Sequence, residues 1–298
     1  MDNQNKVIAA ASRHLGQVGG AGYKDTYDPS LLVKIPRTLN RESYGLTGEE
    51  FTGVDVWNAY EVSVLTNKNL PVSGMMKITV PSETPFHVES KSIKLYLNSF
   101  NMTKLGENTF DAIRLFEQTV AKDLTELLEG EVTARMFTNQ NGPQYAFEGY
   151  QELGAITNLD NIDFNTFKSD ASQLSTLPGT NGVMQTTTDL LRSNCRVTNQ
   201  PDWGDLFIHM EGGSVPSNEA LAKYVVSHRQ VSHFHEEIVE MTFTHLMEAY
   251  DPKKLMVCAL YTRRGGIDIN PIRATHKSTK HTQPVSYTHL TLPTKRIV

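Results

Sequence analysis

Cysteine is nearly missing from this chain of 298 residues: Cys195 and Cys258 are the two it has. So few thiols exclude a disulfide scaffold and fit a reducing compartment that keeps both free. Long apolar runs are missing as well. No stretch approaches the roughly 20 apolar residues of a spanning helix, and the opening MDNQNKVIAAASRHLG lacks the pattern of a signal peptide. A cytoplasmic protein without membrane contact is expected. Net positive charge is the third absence. A formal charge of −5 and a pI near 6.1 provide no overall basic field, so direct nucleic-acid binding is not expected. No GxGxxG, CxxC or HExxH occurs, which argues against a Rossmann site and the commonest zinc signatures; no metal site is expected.

What is present describes a globular chain with a real core: 39% hydrophobic and 20% charged residues. The length suits two ordinary domains or one large one. Residues 1–50, rich in Gly, Asn, Ser and Pro, read as an irregular arm anchored by Tyr23, Tyr27 and Tyr44. VDVWNAYEVSVL and VSGMMKITV are strand-like. In IKLYL, the alternation of Ile93, Leu95 and Leu97 with Lys94 and Tyr96 predicts another strand. Ile113, Phe116, Val120, Leu124 and Leu127 recur at spacings of three and four, predicting a helix from about Thr109 that stops at Gly130.

Residues 138–185 read as a polar connection into a second unit of the same design. There Leu206, Ile208 and Met210 alternate on a strand. Leu221, Tyr224, Val225 and His228 share one helical face, Phe234, Ile238 and Met241 another, and LMVCALYT forms the closing strand before RRGGIDINP. The expectation is an α+β protein of two similar modules, 51–145 and 146–275, with antiparallel sheets covered on one face by helices.

Four segments carry chemistry. In SNCRVTNQPDWG (residues 193–204) a Gln-Pro turn can fold Cys195 and Asp202 onto one small site. A thiolate is the reactive form of cysteine, and an adjacent acid can protonate what it attacks. The same spacing also suits a buried structural thiol beside a turn aspartate. In ESKSIKLYLNSF (residues 89–100), Glu89 can accept N–H groups of a base-like ligand and Lys91 can hold a phosphate, or both are simply solvated ahead of a strand. HFHEE (residues 233–237) sets His233 and His235 at a helix start, where i and i+2 positions diverge by roughly 200° and cannot share one ion. Glu236 is then a second candidate carboxylate for a base. RRGGIDINP joins arginines, which suit phosphate, to glycines that allow close backbone approach, and reads equally as a turn with solvated charges.

Together with KDTYDPSLL, PRTLNRESYGL, GVDVWNAYEVS and YTRRGGIDINP, these segments resemble the long, two-module form of the NADPH-dependent 7-cyano-7-deazaguanine reductases. The resemblance implies two tandem tunnelling-fold (T-fold) modules, a homodimer, NADPH as cofactor and 7-cyano-7-deazaguanine as substrate. It implies that Cys195 attacks the nitrile carbon to form a thioimide, that Asp202 protonates the nitrogen and that His235 assists proton movement. Two hydride transfers then produce the aminomethyl product. By the same resemblance Val88, Glu89, Ser90, His235 and Glu236 bind the base, and Ser90, Lys91, Arg264 and Gly265 contact NADPH. The end departs from the pattern: PVSYTHLTLPTKRIV resembles a translated sequencing adapter, and residues 284–298 read as a non-native tail.

Other classes remain to be separated. A T-fold pterin cyclohydrolase would grip a base in the same way but needs a Cys/His metal set. A non-catalytic nucleotide-binding module would leave Cys195 an inert thiol. A cysteine hydrolase would need a histidine partner arrangement that is not evident.

Overall fold

A computed structural model describes residues 24–138, 147, 149–175, 180–197 and 199–276. Tyr23 and the 284–298 tail lie outside the described residues. The arm is irregular but tied down. Tyr27 donates from its hydroxyl to Asp123 at 2.8 Å, and the Tyr44 hydroxyl meets His233 Nδ1 at 2.7 Å. Within the arm are β1 (Lys34–Pro36) and a one-turn helix, Thr38–Arg41.

The first half then runs β2 (Thr52–Leu65), β3 (Pro71–Pro81), β4 (Phe86–Val88), α1 (Ser90–Asn98), α2 (Thr109–Leu128) and β5 (Thr133–Phe137). Helix α1 corrects the strand expected in IKLYL. Five residues of alternation also satisfy helical spacing, and here Ile93, Tyr96 and Leu97 form the buried face. The helical choice is reinforced at its start, where Glu89 Oε2 accepts from the N–H of Lys91 at 3.0 Å and of Ser92 at 2.8 Å. Such a cap contributes about 1 kcal/mol. Helix α2 matches its expected span, but the left-handed residue that ends it is Glu129 rather than Gly130.

The second half runs β6 (Gln151–Glu152), β7 (Thr180–Cys195), β8 (Pro201–Val215), α3 (Asn218–Ser227), β9 (Ser232–His233), α4 (His235–Tyr250), β10 (Lys254–Tyr261) and β11 (Ile267–Ala274). Strand β7 begins inside the stretch expected to be a connection, because its Thr-rich first half carries little apolar alternation. The strand expected to close this half is not its last either. Gly265 and Gly266, at φ +58° and +85°, make the two-residue turn that sends the chain back as β11.

That return joins the halves. The main sheet has the order β5-β3-β2-β11-β10-β8-β7-β6, with β9 also on β7. Strand β11 pairs with β2 from Ile267↔Ala59 to Ala274↔Thr52. Pairing is antiparallel except for β6 and β9 against β7. The architecture is therefore a mixed α+β one. Trp57, Ile78, Phe100 and Phe116 lead one core beneath α1 and α2, and Ile208, Tyr224, Phe243 and Val257 lead a second beneath α3 and α4. Met256, Cys258, Leu260 and Ile272 point to the opposite face, where Phe147 stacks on Phe207.

Between the two cores the seam is polar. Arg273 on β11 donates to Asp55 of β2 at 2.8 Å and to Glu240 of α4 at 2.7 Å. Arg37 and Arg41 of the arm bind the same two carboxylates at 2.6 and 2.9 Å. All five side chains are buried. Burial works against charge on Asp55 and Glu240, but the guanidiniums outweigh it and hold both carboxyls below their ordinary range.

Candidate active site

The seam opens into a cavity of about 380 Å³. Its wall contains Val88, Glu89, Ser90 and Lys91 from the first half and Cys195, Asp202, His235, Glu236, Arg264 and Gly265 from the second. Every site residue expected from sequence thus borders one space. Ile35, Trp57, His87, Lys94, Gln200 and Phe234, which were not singled out from sequence, border it too.

Hairpin geometry brings the thiol and the carboxylate together. Ser193 pairs with Asp202 across β7 and β8. Cys195 lies two residues beyond Ser193, on the same face of the pleat. The hairpin closes with Cys195 N–H donating to Gln200 C=O at 2.8 Å and Asn199 N–H donating to Cys195 C=O at 2.9 Å. Asn199 takes the left-handed conformation the turn requires, at φ +54°. The hairpin tip is tied to the start of α4: Cys195 pairs with His233 through β9, and Arg196 meets Glu237 at 3.2 Å. Glu237 also accepts the Phe234 N–H at 2.9 Å, capping the helix. His233 therefore belongs to a strand and only His235 to the helix, which corrects the shared helix start expected for them.

The two potential proton carriers are adjacent. His235 Nε2 lies 3.4 Å from Asp202 Oδ2, and Arg264 donates to Asp202 Oδ1 and to Gln200. Burial pushes the Asp202 carboxyl up, but hydrogen bonds and charge from His235 and Arg264 prevail and hold it low. The imidazole of His235 stacks on the Tyr261 ring, 3.7 Å between centroids and 6° from parallel. Tyr261 lies over Gly204, where a Cβ would sit 3.1 Å from the ring. Sequence gave no hint of this support, since Gly204 and Tyr261 become neighbours only through strand pairing.

Glu236, in the first turn of α4, is buried against His87 of β4, with 3.7 Å between Oε1 and Nδ1. Burial raises its carboxyl, yet the adjoining His87 overcomes that and holds it below the ordinary range. Glu89 is placed differently: Oε2 caps α1, and Oε1 has a 3.4 Å contact from Ser90. Lys91, Lys94 and Arg264 form a cationic wall to the same cavity. Cys258 is remote from all of this, fully buried, its thiol pushed far up by desolvation.

Comparison with known proteins places the chain in a family. A family model described as nitrile reductase, 7-cyano-7-deazaguanine-reductase N-term, matches residues 23–136, and one described as QueF-like protein matches residues 201–280. The NADPH-dependent 7-cyano-7-deazaguanine reductase of Cupriavidus metallidurans is 41% identical over 266 residues, covering 87% of this chain and 92% of the relative. This chain belongs to the 7-cyano-7-deazaguanine nitrile reductase family. The reductase of the same name from Hahella chejuensis is 40% identical over 268 residues, covering 88% and 93%. The two family matches fall on either side of the seam, so the two matched segments meet where the cavity opens. The crystal structure of apo archaeosine synthase QueF-Like shares 19% identity over 32% of this chain and 94% of its own, at a TM-score of 0.30.

Proposed function

We propose that the chain is a cytoplasmic, homodimeric NADPH-dependent reductase of two T-fold modules, 51–145 and 146–275. It converts the nitrile of 7-cyano-7-deazaguanine to the aminomethyl group in the route to queuosine. Membership of the family supports the overall reaction. The observation that supports the covalent route is Cys195 and Asp202 on one face of a hairpin that opens into a cavity holding two carboxylates.

A nitrile is a poor hydride acceptor, so its carbon must first be activated. The Cys195 thiolate adds to that carbon, forming a C–S bond as one π pair of the C≡N bond moves to nitrogen. The nitrogen takes a proton, leaving a thioimide. Asp202 is held ionised, so the proton it hands on is one shared with His235, 3.4 Å away. Val88, Glu89, Ser90 and Glu236 line the base side of the cavity, the carboxylates accepting its N–H groups. The donor set on the other wall fits a dinucleotide phosphate: Lys91, Lys94 and Arg264 are three cations beside the Ser90 hydroxyl and the close backbone of Gly265. NADPH bound there would supply two hydrides to that carbon; Cys195 leaves as thiolate after the first, and a second proton passing through Asp202 to the nitrogen completes the aminomethyl group.

Intact mass after incubation with 7-cyano-7-deazaguanine in the absence of NADPH tests the route. An increase equal to the mass of the substrate, missing from Cys195→Ala, is expected. A folded protein that binds the base and forms no adduct would overturn the covalent route in favour of a binding module.

A further inference from the structure

His87 has no part in the chemistry above, yet it is among the best-buried polar groups at the site. Strand β4 sets it in the cavity wall immediately before Val88 and Glu89, and it is 6% exposed. Its Nδ1 faces Glu236 Oε1 at 3.7 Å. Phe234 meets the ring edge-on at 5.1 Å between centroids and limits its tilt. The other nitrogen, Nε2, is buried and has no hydrogen-bond partner. A polar atom left unpaired in a protein interior is costly, and in a cavity wall a ligand atom can complete it.

We propose that His87 is a substrate-binding residue whose Nε2–H donates to the ring carbonyl oxygen of the bound base. The inference rests on the substrate assigned above and adds which edge is read and by what. A guanine-type edge presents an exocyclic amino group, a ring N–H and a carbonyl oxygen in that order: two donors, then an acceptor. A carboxylate satisfies the two donors but repels the oxygen beside them. Glu236 supplies the two acceptors. His87, whose Nδ1 faces the same carboxylate at 3.7 Å, supplies the donor the third position requires, so that the ring lies between carboxylate and carbonyl. An adenine-type edge would set a bare ring nitrogen against Glu236 and an amino group against His87, mismatched at both. The pair therefore selects the oxo base, and it does so across the seam, with His87 from the first half and Glu236 from the second.

The test is calorimetric binding in a Cys195→Ala background, where no adduct forms. The ligands are 7-cyano-7-deazaguanine and its 6-thioxo analogue, which keeps both donors but carries a weak acceptor. His87→Leu is expected to weaken the oxo ligand on the order of 10- to 100-fold, as for a lost charge-assisted hydrogen bond, and the thioxo ligand much less. His87→Gln, with an amide donor, recovers part of the loss and controls for folding. Equal weakening of both ligands would overturn the proposal, leaving His87 as a support for Glu236. If the Cys195→Ala reference itself binds neither base, the substrate assignment fails and the role of His87 fails with it.

Discussion

The two halves of the sheet are built in the same order, two long strands, two helices and a strand, but their hairpins end differently. The β2–β3 turn closes with Thr66 N–H donating to Leu70 C=O at 2.9 Å and Leu70 N–H donating to Thr66 Oγ1 at 3.1 Å, and it leans on the segment before α2, where Gly106 C=O accepts the Asn67 N–H at 2.8 Å and Glu107 accepts the Asn67 side-chain amide at 2.6 Å. The β7–β8 turn leans instead on the segment that begins α4, through Glu237 on Arg196 and Ser232 donating to Asn199 at 3.0 Å. The first turn carries none of the site, whereas the second carries Cys195 and Asp202. The helix starts differ as well. Glu89 spends one oxygen capping its own helix, while Glu236 faces His87 of the other half. In the proposed reaction one half supplies the reactive groups and both supply recognition, and residues of both halves line the cavity at the seam.

The strongest way to break this contrast is at the thiols. Cys195→Ala should lower turnover on the order of 10⁴-fold or more, whereas Cys258→Ala, remote from the cavity, should change it by no more than a few-fold; steady-state NADPH oxidation measures both. Comparable losses would refute the assignment of chemistry to the β7–β8 hairpin.

The seam comes next. Arg273→Met leaves Asp55 and Glu240 with one guanidinium each, from Arg37 and Arg41, and the lost buried charge-assisted bonds should cost about 1–3 kcal/mol in denaturant unfolding. Because both carboxyls are held low in the folded chain, their contribution is present above the ordinary carboxylate range near pH 4 and is lost as pH falls below it. Stability of the wild-type chain should therefore drop on acidification below about pH 4, and the drop should be smaller in Arg273→Met. An unchanged acid profile would show that the seam charges do not govern it.

At the helix starts, Glu89→Ala should lose about 1 kcal/mol of stability together with substrate affinity. Glu89→Gln keeps a capping oxygen, so it should lose affinity alone. Matching melting temperatures for the two variants would dismiss the capping role. The smallest effect is expected behind the site. Tyr261→Leu removes the ring under His235, a stack worth about 0.5–1.5 kcal/mol, and should lower kcat a few-fold to about tenfold with little change in KM. A change confined to KM would instead place Tyr261 in substrate binding.

Much of this was legible in local order. The 3.6-residue spacing of Phe116, Val120 and Leu124 marked α2, and the short span between Cys195 and Asp202 marked a chain reversal, although Gln200 and Pro201 already pair with Cys195 and Asn194 and the left-handed turn residue is Asn199. In IKLYL the signal was ambiguous, since so short a stretch fits both periods, and capping by Glu89 with packing of Ile93, Tyr96 and Leu97 decided for helix. Strand β7 was missed in its first half because a run of threonines on a partly solvated strand leaves little apolar alternation to read.

Residue types and their local spacing were enough for the α+β class, the reactive segments and the resemblance to a nitrile reductase family, because helix periodicity, turn chemistry and motif composition act over a few neighbouring residues. The partnership of Glu236 with His87, the stack of His235 on Tyr261 and the closing of the halves by β11 on β2 came from tertiary structure. Each joins residues distant in the chain through strand register and burial, and desolvation acts on whichever charges the fold has brought together.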